Sequence, residues 1–455
     1  MRSSNFNSSC KHAKVPCSNA NHRQKHKNTP HCGNTINKGL IYMLPKTPAK
    51  GMRDFLPKDF KFRQQVLSVI QSTYERYGFA RIETPSVENI ALLTSKQGGD
   101  NEKLIFKILK RGEKLENADE TSLCDLGLRY DLTVPLSRFY ANNSGQLPQV
   151  FKAIQMDNVW RADRPQRGRF RQFMQCDIDI IGEPTYLAET ELISATMDAL
   201  ANLGFSDVKV RLSDRRLLTA LANKCGFEDE IKPSVFIALD KLDKIGVTGV
   251  LEEIEQIAPG KALAFVDMIN RITSSNHPFE TCVEELGDYL PQEVRKNVED
   301  ILYVTNSTVK NGKVVFDPTL VRGMGYYTGT IYEISVDGLT SSVGGGGRYD
   351  KMIGRMTGTD VPACGFSIGF ERIVLLLEER GANKPQQSGV AVLVDKSISP
   401  KQLADVYDSC RQMRKSSAVT VLKKAKNFGY QLKQLFEQGY AEIYEFDGAG
   451  FRKID

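Results

Sequence analysis

Five arginines, Arg161, Arg164, Arg167, Arg169 and Arg171, fall within eleven residues, and Phe173, Gln175, Asp177 and Asp179 follow at every second position. Side chains alternate across a strand, so this spacing predicts one face bearing cations, then a ring, an amide and two carboxylates. The intervening Phe170, Gln172, Met174, Cys176 and Ile178 make a mostly apolar opposite face. A working face of that kind can hold an anion at one end and a protonated amine or an N–H donor at the other. Pro165-Gln166-Arg167-Gly168 predicts a hairpin loop back to a strand over residues 151–161. A solvated basic hairpin edge is the competing account, because strand-edge arginines also discourage aggregation.

Distant segments carry further chemistry. Residues 363–377 read as a buried strand, a glycine break and a helix with Arg372 in its first turn. Free N–H groups and the helix dipole there favour an anion, unless Arg372 simply pairs with a nearby carboxylate. Residues 320–350 hold Arg322, Tyr326 and Tyr327, an Asp337-Gly338 hairpin turn, and the run Gly344–Gly347. The glycine run either lets a ligand approach the backbone or is a flexible loop; it lacks the lysine element of a phosphate-binding loop. A helix starting at Thr133, with Pro135 in its first turn, puts Arg129 and Asp131 at the mouth between a strand and that helix.

Supporting elements are legible around these residues. Apolar side chains at helical spacing run over residues 60–77 and stop at Gly78, and 79–84 reads as a strand ended by Pro85. Residues 186–203 read as a helix, 208–212 as a strand, and 225–309 as a mostly helical block without a chemical motif. Beyond Gly389 come a strand (390–394), a helix (400–415), a strand (419–422), a helix (428–438) and a final strand (441–446).

Composition excludes several classes. A chain of 455 residues is too long for one core. It has no apolar run of the roughly 18–20 residues that span a bilayer. Nine cysteines without a CxxC pair suit reduced thiols rather than a disulfide framework. The net charge of +6 is misleading: seven of the 61 basic residues lie in the first 42, which hold no acid, leaving 54 basic against 55 acidic residues elsewhere. A nucleic-acid partner must therefore be argued from local patches such as 161–171. Residues 1–42 are polar and predicted disordered, with a transit peptide or a start at Met43 as alternatives. Their four histidines and three cysteines match no usual zinc spacing. His277 alone remains in the body, which argues against histidine general-base chemistry.

Together these segments resemble the histidyl-tRNA synthetases, a family of class II aminoacyl-tRNA synthetases, over roughly residues 46–440. The helix and strand ending at Pro85 resemble motif 1, the dimer-forming element. Residues 160–179 resemble motif 2 and 363–377 motif 3. Residues 320–334 and 343–350 resemble two histidine-specific signatures, and Leu128–Thr133 the segment that holds the substrate amine. The resemblance implies an α+β fold: a class II synthetase-type antiparallel sheet flanked by helices, with a helical insertion and a small α/β C-terminal domain. It divides the chain into a basic extension (1–42), a catalytic core (43–224 and 310–385), an insertion (225–309) and an anticodon-binding-like domain (386–455) shorter than the family's.

The activity implied is that of a histidine–tRNA ligase, which activates L-histidine with ATP and Mg²⁺ as the substrate complex and charges histidine tRNA. A cytoplasmic homodimer with no prosthetic group, no protein-bound metal and no membrane association is expected. By the family pattern Arg161 clamps the α-phosphate and Arg372 the triphosphate tail, Arg169 also meets ATP, and Phe173 stacks on adenine. Arg322 supplements or replaces a metal ion near the α-phosphate. Asp131, Leu132, Thr133 and Gln175 surround the α-amino group, with Arg161 and Arg322 also on the histidine. Asp179, Tyr326 and Tyr327 form the imidazole pocket, and Arg164 and Gln166 face the tRNA acceptor end. Neutral imidazole has one donor and one acceptor, so polar partners there can reject leucine or phenylalanine by about 10⁴-fold without editing.

Three departures stand out: Asp163 where glutamate is common, Gly325 where many relatives carry aspartate, and the short C-terminal module. In that module Lys423-Lys424-Ala425-Lys426 is the best candidate for phosphate contact. The alternatives are a synthetase-like regulatory subunit of histidine biosynthesis, which binds histidine without catalysis, and a non-catalytic sensor of uncharged tRNA. A chain beginning at Met43 should retain full histidine-dependent ATP–pyrophosphate exchange; a large loss would overturn the expectation of a disordered tail.

Overall fold

Phe151–Trp160 and Gln172–Ile181 are ten-residue strands paired antiparallel from Phe151 opposite Ile181 to Trp160 opposite Gln172. The expected hairpin is present, but the second strand begins at Gln172, so Arg169 and Arg171 belong to the loop. In the computed structural model, residues 44–94, 103–119, 122–322, 327–336, 342–383 and 388–454 are described. Two units separate after residue 47, and of the first only 44–47 are described, all exposed. The expectation of disorder for residues 1–42 therefore lies outside the described residues.

Eight strands form the central sheet of the larger unit. Their order is Ala80–Arg81, Phe151–Trp160, Gln172–Ile181, Ala363–Gly369, Gly344–Arg348, Thr330–Ser335, Val208–Asp214 and Gly312–Phe316. The outermost pair at each end is parallel and all others are antiparallel. The predicted strand over 79–84 shrinks to Ala80–Arg81, because beyond it the chain turns away toward Pro85.

The alternation read from the sequence decides what each face does. Cys176, Ile178 and Ile180 are buried in one apolar cluster with Phe62, Val66, Ile70 and Tyr74 of the helix Pro57–Arg76 and Leu192 of the helix Leu187–Asn202. That first helix opens on Pro57, tolerated where an N–H would lack a partner. It stops at Gly78, whose φ of 80° suits a residue without Cβ. The opposite face of the sheet is open and carries Phe173, Gln175, Asp177 and Asp179.

Gly344–Gly347 is neither loop nor linker. It is an interior strand, paired residue by residue with both neighbours and fully buried. A Cβ on Gly346 would come within 1.9 Å of the Gly365 carbonyl oxygen, and one on Gly345 within 2.6 Å of the Arg322 guanidinium carbon. Side chains are excluded because neighbours occupy their space.

Between Lys232 and Thr308 the described chain forms five α-helices, the second kinked at Gly246, and one short 3-10 turn, as the apolar repeats predict. Their buried residues, Phe265 and Ile269 among them, belong to the same continuous cluster as the back of the central sheet. The C-terminal module has a four-stranded sheet in the order Val419–Lys423, Val390–Val394, Glu442–Phe446, Phe451–Ile454. Glu442–Phe446 is therefore not the last strand. Asp447 accepts from the N–H groups of Ala449 and Gly450, turning the chain so that Phe451 packs on Phe446 with ring centroids 5.4 Å apart. Four residues with two charges at their centre were too short a pattern to read. No helix among the described residues is long and apolar enough to cross a membrane.

Gly346→Ala should lower the thermal midpoint by about 3 °C or more, since overpacking a filled site typically costs about 1–3 kcal/mol or more. Gly145→Ala, with nothing within 4 Å of its Cβ, should change it by less than about 2 °C.

Candidate active site

A cleft of about 420 Å³ opens on the polar face of the sheet, and its floor is the glycine strand. Arg161 and Arg169 of one hairpin, Arg322 and Arg372 reach it from three separate segments, and Asp131, Asp177 and Asp179 line it as well. Arg161 is anchored rather than free: its Nε donates to the Tyr130 carbonyl at 2.8 Å and Nη2 to Gln175 Oε1 at 3.2 Å. Its guanidinium carbon lies 5.1 Å from the centroid of the Phe173 ring, which also lines the cleft.

Arg372 stands in the first turn of the helix Phe370–Glu379, as predicted, and donates to the Ser342 carbonyl oxygen. Among the described residues no carboxylate forms an ion pair with it. Burial first, then the charges of Arg169 and Arg322, lower its pKa, against the weaker pull of Glu333. The residue before it, Glu371, is what fixes this helix start. Arg63 grips Glu371 through two bonds of 2.8 and 2.7 Å, Arg53 joins from the chain ahead of the first helix, and the Met174 N–H donates at 3.3 Å. Burial opposes the Glu371 charge, but the two arginines more than offset it and hold its pKa below the ordinary value.

Arg322 pairs with Glu333 and lies over the backbone of Gly345. Arg169 is paired with Asp163 at 2.8 and 3.0 Å, so the shorter carboxylate at 163 has a partner across the loop. Arg164 and Gln166 are exposed on that loop and do not line the cleft.

At the other end the carboxylates are buried. Asp131 precedes the helix Thr133–Asn143 and accepts from the Val134 N–H at 3.1 Å. Burial pushes it up to about 6, against the pull of that bond and of Arg161. Asp177 is pushed to about 7 by burial, with Asp131 adding to the rise. Asp179 rises well above its ordinary value through burial and then the charge of Asp177. One Asp179 oxygen accepts from the Tyr349 hydroxyl at 2.6 Å; the other is buried without a partner, an acceptor awaiting an N–H.

Thr133 and Tyr327 line the cleft too. Leu132 does not: its side chain is fully buried elsewhere and its carbonyl accepts from Gln155 at 2.9 Å. Tyr326 and Gly325 lie outside the described residues. Arg129 faces away from the mouth, fully buried, with Asp157 at 2.7 Å and the Thr84 and Asn158 carbonyls as partners. Sequence reasoning left Asp177, Ser367, Tyr349 and Glu371 without roles. Asp177 shared the visible polar face, but nothing local ties Tyr349 to a carboxylate 170 residues away.

The family model for histidyl-tRNA synthetase matches residues 51–373. The chain belongs to the histidyl-tRNA synthetase family. A histidine–tRNA ligase of Leifsonia xyli is 48% identical over 90% of this chain and 95% of that protein. The crystal structure of a histidyl-tRNA synthetase from Nostoc superposes with a TM-score of 0.72 at 24% identity, covering 89% of this chain and 93% of that one. An ATP phosphoribosyltransferase regulatory subunit/histidyl-tRNA synthetase from Bacillus halodurans has a TM-score of 0.70 at 20% identity, over 90% and 99%. These two structures show the shared fold, the mixed sheet-and-helix architecture that the sequence predicted.

Raised carboxylate pKa values mean that ionisation destabilises the ligand-free fold, so this contribution is lost as pH falls through them. Asp131→Asn should therefore raise the thermal midpoint relative to the parent more at pH 8 than at pH 5. An equal difference at both values would remove the buried charge from the account.

Proposed function

We infer that the cleft activates L-histidine with ATP and passes it to histidine tRNA. One observation carries this reading: a single cleft gathers four arginines, Arg372 among them with no ion pair to a carboxylate among the described residues, together with three buried carboxylates, Asp131, Asp177 and Asp179, that burial makes costly to ionise. A zwitterionic amino acid joined to a polyphosphate satisfies both ends at once.

The histidine carboxylate oxygen attacks the α-phosphorus of ATP in line, and the bond to the bridging oxygen breaks to release pyrophosphate. A ribose hydroxyl of the tRNA then attacks the acyl carbon and displaces AMP. Both steps call for positioning and charge stabilisation more than for covalent help from the protein. Arg161, held by Tyr130 and Gln175, stands where the α-phosphate would meet the amino acid. Arg322 supplements it from the glycine strand, Arg372 and Arg169 take the outer phosphates, and Phe173 stacks on adenine. Mg²⁺ arrives with ATP as part of the substrate. The arginines carry the protein's share of the charge stabilisation.

Asp131, Thr133 and Gln175 receive the α-ammonium. The unpartnered oxygen of Asp179 accepts the imidazole N–H, with Tyr327 and Tyr326 completing that pocket. Arg164 and Gln166 meet the tRNA acceptor end from the exposed loop. The C-terminal module reaches the anticodon side; within its basic run Lys424 is tied to Glu445, while Lys423 and Lys426 form no ion pair among the described residues and can meet phosphate. A homodimer forms through the outer face of the helix Pro57–Arg76, beside a groove floored by Met156 and Met174. The six described cysteines are free, which suits a cytoplasmic setting.

A regulatory subunit that only binds histidine would not need Arg161, Arg322 and Arg372 to converge on one cleft. Arg161→Ala and Arg322→Ala should each lower histidine-dependent ATP–pyrophosphate exchange by about 100-fold or more, as loss of a preorganised cation commonly does. Histidine binding without any exchange in the parent chain would favour the regulatory reading instead.

A further inference from the structure

Asp177 is given no substrate contact above, yet it is 4% exposed, lines the cleft and stands between Gln175 and Asp179 on the same strand face. Ser367 lies directly opposite it in the antiparallel register. The Ser367 hydroxyl donates to Asp177 and accepts from Gln175 Nε2 at 3.1 Å. Gln175 Nε2 also stands 3.2 and 3.3 Å from the two Asp177 oxygens.

This triangle has a consequence for the amide. A carboxamide presents donors at one end and an acceptor at the other, whereas a carboxylate only accepts. With Nε2 committed to Asp177 and Ser367, the end turned to Arg161 is Oε1, which accepts from Nη2 at 3.2 Å. Reversing the amide would set its oxygen against two carboxylate oxygens and aim its NH₂ at a guanidinium. We propose that Asp177, through Ser367, is a positioning residue that locks Gln175 with its amide oxygen toward the α-ammonium of the amino acid. The proposal rests on the amino-acid-activating reading of the cleft and adds how that subsite selects an ammonium. The competing role for Asp177 is a direct counter-charge to the ammonium, and the two differ in whether Gln175 is needed.

Asparagine at 177 offers either end of its own amide, so Gln175 can then turn and point donors at a cation. In exchange assays on the full chain, Asp177→Asn should raise KM for histidine about 10- to 100-fold, the range expected for one hydrogen bond to a charged group. KM for ATP should stay the same. Binding of imidazolepropionate, which lacks the amino group, should be unchanged, a result that general damage to the fold would not give. On a Gln175→Met background, Asp177→Asn should add less than about 2-fold, because both changes remove one interaction. Additive effects in that cycle would make Asp177 a direct counter-charge and overturn the proposal, as would an unchanged histidine KM or equal weakening of imidazolepropionate. If Asp177→Asn fails to fold, Ser367→Ala should raise histidine KM in the same direction, and no change there overturns the proposal. Absence of exchange in the parent chain is a different failure, that of the activating reading itself.

Discussion

The antiparallel register of Gln172–Ile181 against Ala363–Gly369 is the constraint on which the site depends. It puts Gly365 opposite Asp179, Ser367 opposite Asp177 and Gly369 opposite Gln175. A Cβ on Gly365 would stand 2.0 Å from an Asp179 oxygen, so the carboxylate keeps its position only because its cross-strand neighbour has no side chain. The next strand continues the pattern with four glycines, and Arg322 lies flat over one of them. Slipping this register by one residue would send the carboxylates into the apolar cluster behind the sheet. Substrate contacts and core packing are thus two readouts of one alignment.

Burying that much like charge is costly, and the molecule leaves the cost uncompensated where a ligand can relieve it. Asp177 and Asp179 repel one another in a low-dielectric site, and at the far end Arg372 is crowded by Arg169 and Arg322, although those two pair with Asp163 and Glu333. Elsewhere buried charges are matched. Glu371 is held by Arg63 and Arg53, Arg348 by Glu189 with both side chains almost fully buried, and Arg129 by Asp157. The contrast separates groups that hold the fold together from groups kept ready for a zwitterion and a polyphosphate.

Much of this was readable because one strand carries so many roles. Alternation over residues 169–179 assigned Phe173, Gln175 and Asp179 to a working face and Cys176 and Ile178 to a core, and the helix dipole argument placed Arg372 at its helix start. Local signals failed where long-range packing decides. Glycine composition could not distinguish a loop from a strand, because what excludes side chains at Gly346 is a carbonyl of another strand. Arg129 was expected at the mouth between a strand and the helix starting at Thr133, yet the chain turns it inward. Leu132 lies within the segment expected to hold the substrate amine, but its side chain serves the core. The partner of Glu371 lies 308 residues away, and no spacing announces it.

If the two charged ends form one site, a ligand spanning both must gain from each. Equilibrium binding at pH 8 should be measured for histidine, for ATP, and for a non-hydrolysable analogue of histidyl-adenylate. The analogue should bind about 10²-fold or more tightly than the better of the two separate substrates. An analogue that binds no more tightly than histidine or ATP alone would contradict the account.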